Sequence, residues 1–514
     1  MYSTTITGAL LGVSAYLVSV EVDISSGLPT LSLVGSLSQE VREARERVAV
    51  ALRNTGLNLP PSRITINLSP ANRRKDGTAF DLAIAVGLLE AMGQIPEGAA
   101  NDTLFLGELG LDGEIKGVSG VLPIIREAAA KGIRQCIVPD VNGPEGALIS
   151  DVSVRGAGDL RQLIAFLRSK SAEREELLPV TRLDTAKLFR DKNAEKMPDF
   201  SEVRGQDAAK RAAEIAAAGF HHLLMAGPPG AGKSMIAKRI PGILPPLTLE
   251  ESLEVTSIVS VAGSLKKGET LVTRRPFQNP HHTITQAALV GGSTVPRPGV
   301  ISLAHRGVLF LDELPEFQRA ALDSLRQPLE EHRVHIARAN STVTYPSDFM
   351  LVCAMNPCPC GYYPDAGRCR CTEPQIRRYM GKVSGPILDR IDLCVELEAV
   401  DIADLKTVRK GESSEQIRKR VMKARERQQK RFQGTVYRFN ADIQAADIET
   451  YCPLGKGERQ HMEQMCSALS LSVRAYHRIL KVARTIADLE GAAEISAEHL
   501  MEASFYRPAQ EYWK

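Results

Sequence analysis

No stretch of this 514-residue chain reaches the ~18 uninterrupted apolar residues that a membrane-spanning helix requires, so no membrane partner is expected. The most apolar segment near the start, Ala9 to Val22, is interrupted by Glu21 and followed by Asp23. No basic region precedes it, which argues against a secretory leader. The cysteines number nine, an odd count in a large chain, and do not suggest a secreted disulfide framework. The formal net charge is only +3, too small to argue for a nucleic-acid partner from the total alone. Hydrophobic residues make up 43% and charged residues 24%, an ordinary globular balance. A soluble, cytoplasmic protein is expected, with room for roughly two to four domain cores.

What is present is a phosphate-binding loop. Leu223 to Ala226 is a short apolar run that suits a buried parallel strand. Gly227-Pro228-Pro229-Gly230-Ala231-Gly232-Lys233-Ser234 then fits G-x-x-x-x-G-K-[ST], and Met235 onward reads as a helix. The glycines let backbone N–H groups converge on phosphate oxygens, and the following helix directs its positive end at the same anion. Lys233 is placed to neutralise the β- and γ-phosphates, and the Ser234 hydroxyl to complete a Mg²⁺ shell.

Further along, Val308 to Leu311 is an apolar strand that delivers Asp312 and Glu313 at its end. Asp312 is expected to hold the Mg²⁺ shell, and Glu313 to polarise the attacking water as general base. Phe349 to Met355 is a third apolar strand, and it ends in Asn356, an amide suited to the γ-phosphate or the water. Ser384 to Asp392 sets Arg390 between Asp389 and Asp392. A guanidinium donated to a neighbouring subunit would stabilise transition-state charge there, whereas a surface ion pair with either acid is the plainer alternative.

The first part of the chain mixes helical and strand patterns. Tyr16 to Ile24, Leu31 to Val34, Ile64 to Leu68, Leu104 to Leu109 and Cys136 to Pro139 read as strands. Ser38 to Asn54, Asp81 to Met92 and Pro123 to Lys131 read as helices, which gives an α+β domain. Within it, Arg74 to Asp81 and Gly107 to Gly113 resemble the proteolytic domain of the Lon family, a fold like domain 2 of ribosomal protein S5. That resemblance places Ala79 where the nucleophilic serine belongs and Leu122 where its lysine base belongs. Neither side chain offers a nucleophile or a base, so no peptidase activity is expected.

The strands and loops from 198 to 400 resemble the AAA+ superfamily. Asn279 to Thr285, Leu289 to Gly292, Pro296 to Gly307 and Ser472 to Leu480 narrow the resemblance to the magnesium-chelatase-like ATPases, and within them to the YifB/ComM group. The resemblance covers nearly the whole chain. It implies an α/β and α+β multidomain protein: a Lon-like domain at 1–170, a P-loop ATPase core at 198–400, and a helical segment with a C-terminal lid at 401–514. The charged, poorly periodic stretch 171–197, with Glu173, Arg174, Glu175 and Glu176 in succession, itself reads as a solvated linker. The resemblance further implies ATP and Mg²⁺ as cofactors, a homo-hexameric ring, and single-stranded or branched DNA as partner, as in branch migration during natural transformation. Arg474 becomes a second sensor that reaches a nucleotide phosphate as the lid closes. A protein-remodelling motor like the magnesium chelatase ATPase subunit is the alternative function, and an ATP-dependent protease is disfavoured by Ala79 and Leu122.

Two insertions bear on the partner. Arg274 to Arg306 carries histidines and arginines, and Arg333 to Tyr345 alternates as a β-hairpin would. Arg297, Arg333 and Arg338 are candidate phosphate contacts, while solvated hairpin faces are the alternative. His281 and His282 suit packing or hydrogen bonding better than metal ligation. Cys358, Cys360, Cys369 and Cys371 form C-x-C-x8-C-x-C and could wrap a structural Zn²⁺, although the spacing is not the usual C-x2-C. From Val400 to Asn440 there are twelve Lys and Arg against five acids, on a segment of helical character. It suits either phosphate contact or a solvated helix face. Ser472 is expected to cap a helix reaching Leu489, and Ser496 to Phe505 closes the chain with another.

Overall fold

The computed structural model describes residues 1–170, 173–193, 197–266, 268–292, 296–338, 341–398 and 411–506. The expected boundary at 400/401, and the start of the basic segment, lie outside the described residues. Among the described residues no helix is long and apolar enough to cross a membrane.

In the N-terminal part, strands β1 (Tyr2–Leu11), β2 (Ser14–Ser25), β3 (Thr30–Val34), β4 (Arg63–Ser69), β5 (Thr103–Phe105), β6 (Gln135–Pro139) and β7 (Ser153–Ala157) share one sheet, in the order β3-β4-β2-β1-β5-β6-β7. β1 pairs antiparallel with β2 from Tyr2 opposite Asp23 to Leu11 opposite Ser14. Ser3 and Thr5 are buried against the helix Asp81–Ala91, where Ser3 Oγ donates to the Gly87 carbonyl at 2.7 Å and Thr5 Oγ1 to the Ala83 carbonyl at 2.9 Å. The helix Gln39–Asn54 starts at Ser38, whose Oγ accepts from the Val41 N–H. It buries Val41, Ala44, Val48, Ala51 and Leu52, the single stripe that helical spacing produces. The expected strand Leu104–Leu109 is two pieces, because Glu108–Leu109 leaves the sheet to pair with Ile115–Lys116.

The stretch 171–197 departs from a purely solvated linker. Leu178 is fully buried in the N-terminal core, and Val180 forms a bridge to Arg155 of β7. Leu183, Leu188 and Phe189 pack around Leu122, Leu148 and Leu271. Glu173, Glu175 and Glu176 are exposed, while Arg174 lies over the Phe166 ring and the leucines beside the run have an apolar surface to cover.

The central part is a five-stranded, all-parallel sheet of β8 (Leu223–Ala226), β9 (Phe277–Gln278), β10 (Val308–Leu311), β13 (Met350–Met355) and β14 (Leu393–Glu396), in the order β9-β10-β13-β8-β14. β8, β10 and β13 are buried along their whole length, which explains their unbroken apolar sequences. Between β10 and β13 stands the antiparallel ribbon β11 (Arg333–Arg338) and β12 (Ser341–Pro346), where the alternating pattern placed a hairpin.

The C-terminal part is helical, with Ser414–Arg431, Lys456–Leu469, Val473–Glu490 and Ala497–Phe505. Ser413, Ser472 and Ser496 each cap a following helix through the side-chain oxygen. A buried ionic network ties the first helix to the third. Asp488, fully buried, takes both Arg431 guanidinium nitrogens at 2.8 and 2.5 Å, Arg484 at 3.1 Å and the Asn440 amide at 2.9 Å. Replacing one partner of a buried ion pair strands the other, at about 3–5 kcal/mol. Asp488→Ala should therefore destabilise the helical part by that amount, read as lost hydrogen-exchange protection across Val473–Glu490.

The N-terminal and central parts meet through the helix Leu249–Val261. Ser260 Oγ accepts from the Gly120 N–H at 2.9 Å and donates to the buried Glu145 at 2.5 Å. Glu145 also accepts from the Leu122 N–H at 3.0 Å. A cavity of 820 Å³ opens where all three parts approach, lined by Arg126, Glu254, Arg306, Arg333, Asp348 and Arg438 among others.

Candidate functional site

Three strand ends of the central sheet build the site. Because β8, β10 and β13 run parallel, the loops that follow them emerge at one edge, where α/β sheets receive ligands. Behind β8 the phosphate loop turns through Gly230 and Gly232, at φ +80° and +93°, a region that only glycine enters at little cost. The helix then begins at Lys233, two residues earlier than the sequence pattern places it, and runs to Ala237.

Lys233 is largely buried, and its ammonium donates to the Gly227 carbonyl at 2.6 Å, the Pro228 carbonyl at 2.9 Å and Asn356 Oδ1 at 3.0 Å. Burial lowers its pKa, while the charges of Asp312 and Glu313 pull in the opposite direction. Ser234 Oγ donates to Asp312 Oδ2 at 2.6 Å, and the other Asp312 oxygen accepts from the Glu313 N–H at 3.0 Å. Hydroxyl and carboxylate oxygens are the hard donors that Mg²⁺ takes, and this pair fits one. Glu313 has a left-handed backbone, φ +54°, and a half-exposed carboxylate that lies 3.3 Å from His282 Nδ1. His282 in turn stacks obliquely on His281 at 4.1 Å.

The sheet thus gathers Lys233, Ser234, Asp312, Glu313 and Asn356. It does not bring Arg390 or Arg474 to them. Arg390 precedes β14, and the N–H groups of Asp392 and Leu393 both donate to the carbonyl of His222, at the start of β8. Since β14 and β8 are parallel, the Arg390 turn lies at the opposite edge of the sheet from the phosphate loop, about 13 Å away across four residues of strand. There Arg390 pairs with Glu330 and donates to the Pro386 carbonyl at 2.5 Å, while Asp389 and Asp392 have other partners. Arg474 lies beside the same turn, 3.4 Å from Asp389, with an exposed side chain. Among the described residues neither arginine hydrogen-bonds to the phosphate loop, so closure of Arg474 onto its own nucleotide is not the arrangement seen here.

Of the candidate phosphate contacts, Arg297 and Arg333 are exposed. Arg333 stands at the base of the ribbon opposite Pro346, and Arg338 at its far end opposite Ser341. The loop holding Arg297 is tied to the ribbon by the Tyr345 hydroxyl, which donates to the Pro296 carbonyl at 2.8 Å. The four Sγ atoms of Cys358, Cys360, Cys369 and Cys371 lie within 4.8 Å of one another. In the N-terminal part, Ala79 contributes to a hydrophobic core, and the Leu122 side chain packs against Leu271 of the central part. The place of a lysine base is therefore an apolar contact between domains.

Models of magnesium chelatase, subunit ChlI, match residues 20–142 and 199–405, and one of its C-terminal region matches 411–507. Over 502 residues the chain is 44% identical to the competence protein ComM of Haemophilus influenzae, covering 97% of this chain and 96% of that one. The chain belongs to the YifB/ComM family of magnesium-chelatase-like AAA+ ATPases. The uncharacterized YifB of Salmonella typhimurium is also 44% identical, over 505 residues, 98% of this chain and 96% of its own. Lon protease 2 of Bacillus subtilis is 24% identical over 274 residues, 47% of this chain and 48% of its own.

Within this ATPase, three contributors to the site were not legible beforehand. Gln206, at the start of the helix that leads into β8, donates to the Ala231 carbonyl of the phosphate loop at 3.2 Å. Arg478 donates to the Ile391 carbonyl at 2.7 Å and the Asp389 carbonyl at 3.2 Å, fixing the Arg390 turn. His282 faces Glu313. Gln206 and Arg478 act through backbone oxygens, which leave no mark on residue spacing. His282 could have been found only by supposing that its insertion folds back over β10.

Proposed function

We propose that this ATPase is a ring motor acting on DNA: a cytoplasmic homo-hexamer that couples hydrolysis to helicase or translocase work of the branch-migration kind. The observation that carries the ring is the division of the site between two edges of one sheet. Lys233, Ser234, Asp312, Glu313 and Asn356 gather at one edge and Arg390 and Arg474 at the other, so a complete set forms only when two copies apply opposite edges to one nucleotide. The DNA reading rests on membership with a protein named for competence and on exposed arginines in an insertion and a ribbon.

In the reaction, Lys233 releases the loop carbonyls and meets the β/γ-phosphate oxygens, and the loop N–H groups hold the same charge. Glu313 accepts a proton from water as its oxygen bonds the γ-phosphorus and the bond to the ADP oxygen breaks. Asn356 orients that water. Mg²⁺, held through Ser234 and Asp312, supplies charge neutralisation on the phosphates when bound. Arg390 and Arg474 of the next copy stabilise the charge that develops on the transferring group.

The deciding experiment is the ATPase rate with and without single-stranded and branched DNA. Stimulation is expected, and its absence together with a lack of DNA binding would overturn the DNA reading. A motor of the magnesium chelatase kind would respond instead to a protein partner. Arg297→Ala with Arg333→Ala should leave the basal rate near that of the parent and weaken DNA binding. Each phosphate contact removed should flatten the slope of log affinity against log salt by about one unit.

A further inference from the structure

The four-cysteine loop is the least explained feature beside the nucleotide site, and its place decides what it can do. It leaves β13 directly after Asn356, runs from Cys358 to Cys371, and rejoins the fold at the helix Glu373–Met380, which Thr372 caps. Cys358 is fully buried. Its Sγ lies 3.3 Å from that of Cys360 and 3.8 Å from that of Cys369, and Cys360 and Cys369 are 3.6 Å apart. Four thiolates around a tetrahedral Zn²⁺, with Zn–S near 2.3 Å, stand about 3.8 Å apart, so these separations are those of a ligand set. A disulfide would need sulfurs at about 2.05 Å, and all nine cysteines are free. With every ligand a thiolate of the chain, such a site has no open position for a substrate.

The loop also touches the phosphate loop. Gly361 follows Cys360 and adopts φ +86°, and a methyl group added to it would stand 2.5 Å from Pro229 Cδ and 2.7 Å from Pro229 Cγ. Its neighbours in the same contact include Asn356, which accepts from Lys233. The turn is pinned at one end by the Gly361 N–H, which donates to the Cys358 carbonyl at 3.0 Å. Fourteen residues with two prolines and two glycines form no helix or strand from Cys358 to Cys371, so ordering them calls for a crosslink. We infer that Cys358, Cys360, Cys369 and Cys371 bind one structural zinc ion, and that this zinc knuckle holds Gly361 against Pro229 and so sets the conformation of the phosphate loop. This rests on the nucleotide reading of Lys233 and Ser234, and it makes nucleotide affinity depend on a metal that takes no part in hydrolysis.

The test is zinc analysis of the full-length protein together with titration by a fluorescent ADP analogue. About one equivalent of zinc is expected in the parent. Cys369→Ser with Cys371→Ser should lose the metal, keep its circular dichroism spectrum, and bind the analogue on the order of tenfold more weakly, the size of one charge-assisted contact to phosphate. Gly361→Ala should keep the metal, since all four thiolates remain, and show a similar loss, because its methyl group pushes on Pro229 and its left-handed backbone is strained. Folded parent protein without zinc would overturn the inference. So would a metal-free double variant that binds the analogue as tightly as the parent. Lys233→Ala separates the two readings: it should retain zinc and lose the analogue, and undiminished binding there would sink the nucleotide assignment instead.

Discussion

Glu313→Gln should retain nucleotide binding close to that of the parent and lower turnover by about 10²–10⁴-fold, the usual contribution of a positioned general base. The substitution keeps the shape of the side chain and its capacity to accept a hydrogen bond, but an amide cannot take a proton from water at neutral pH. The geometry supports a selective effect. The Glu313 carboxylate takes no part in the Ser234–Asp312 pair, since the Asp312 oxygens accept from the Ser234 hydroxyl and from the Glu313 backbone N–H, which the variant keeps. Its left-handed backbone is shared by the variant, so no new strain enters. Asp312→Asn should behave differently, weakening Mg²⁺-dependent binding as well as turnover. Single-turnover hydrolysis beside an equilibrium titration of ADP distinguishes the two. Equal ATPase activity in Glu313→Gln and parent would remove Glu313 from its role, and His282, 3.3 Å away, would be the next group to test.

The nucleotide edge was legible because its chemistry is local. A phosphate loop needs a strand, glycines and a helix in immediate succession, and an acidic strand end needs only an apolar run before it. Ser234 and Asp312 are far apart in the chain, yet each motif predicts its own strand end, and parallel strands bring those ends together. What escaped was whatever depends on which surface meets which. β1 is hard to read from sequence because its hydroxyl residues look exposed, whereas the helix carbonyls at Gly87 and Ala83 satisfy Ser3 and Thr5 in the core. Residues 171–197 read as solvated from their charges, whereas Leu178 is governed by a core it meets only in three dimensions. Arg474 was matched to a phosphate by resemblance, and only the pairing of Asp392 with His222 shows that its neighbour Asp389 stands at the other edge of the sheet.

That edge leads to the second large effect. Arg390→Ala should lower the ATPase rate by about 10³-fold or more, the scale of an arginine that stabilises a transferring phosphoryl group from a second molecule. The loss alone does not say where the arginine acts, since releasing Glu330 also disturbs the turn. Mixing does. In an equal mixture of Glu313→Gln and Arg390→Ala chains, neither chain holds both groups. If Arg390 served its own nucleotide, every site would lack one of them and the mixture would stay inactive. If it serves the next copy, about one interface in four joins an intact Glu313 to an intact Arg390, and activity returns. Recovery is the expected result, because some 13 Å of strand separates Arg390 from its own phosphate loop. The same mixture with Arg474→Ala in place of Arg390→Ala should also recover, as Arg474 shares the Asp389 turn. Recovery with Arg390→Ala but none with Arg474→Ala would mean that the C-terminal helices swing Arg474 back to its own nucleotide. That movement would have to break the Arg478 bonds to Ile391 and Asp389, so Arg478→Ala would then ease closure rather than impair it.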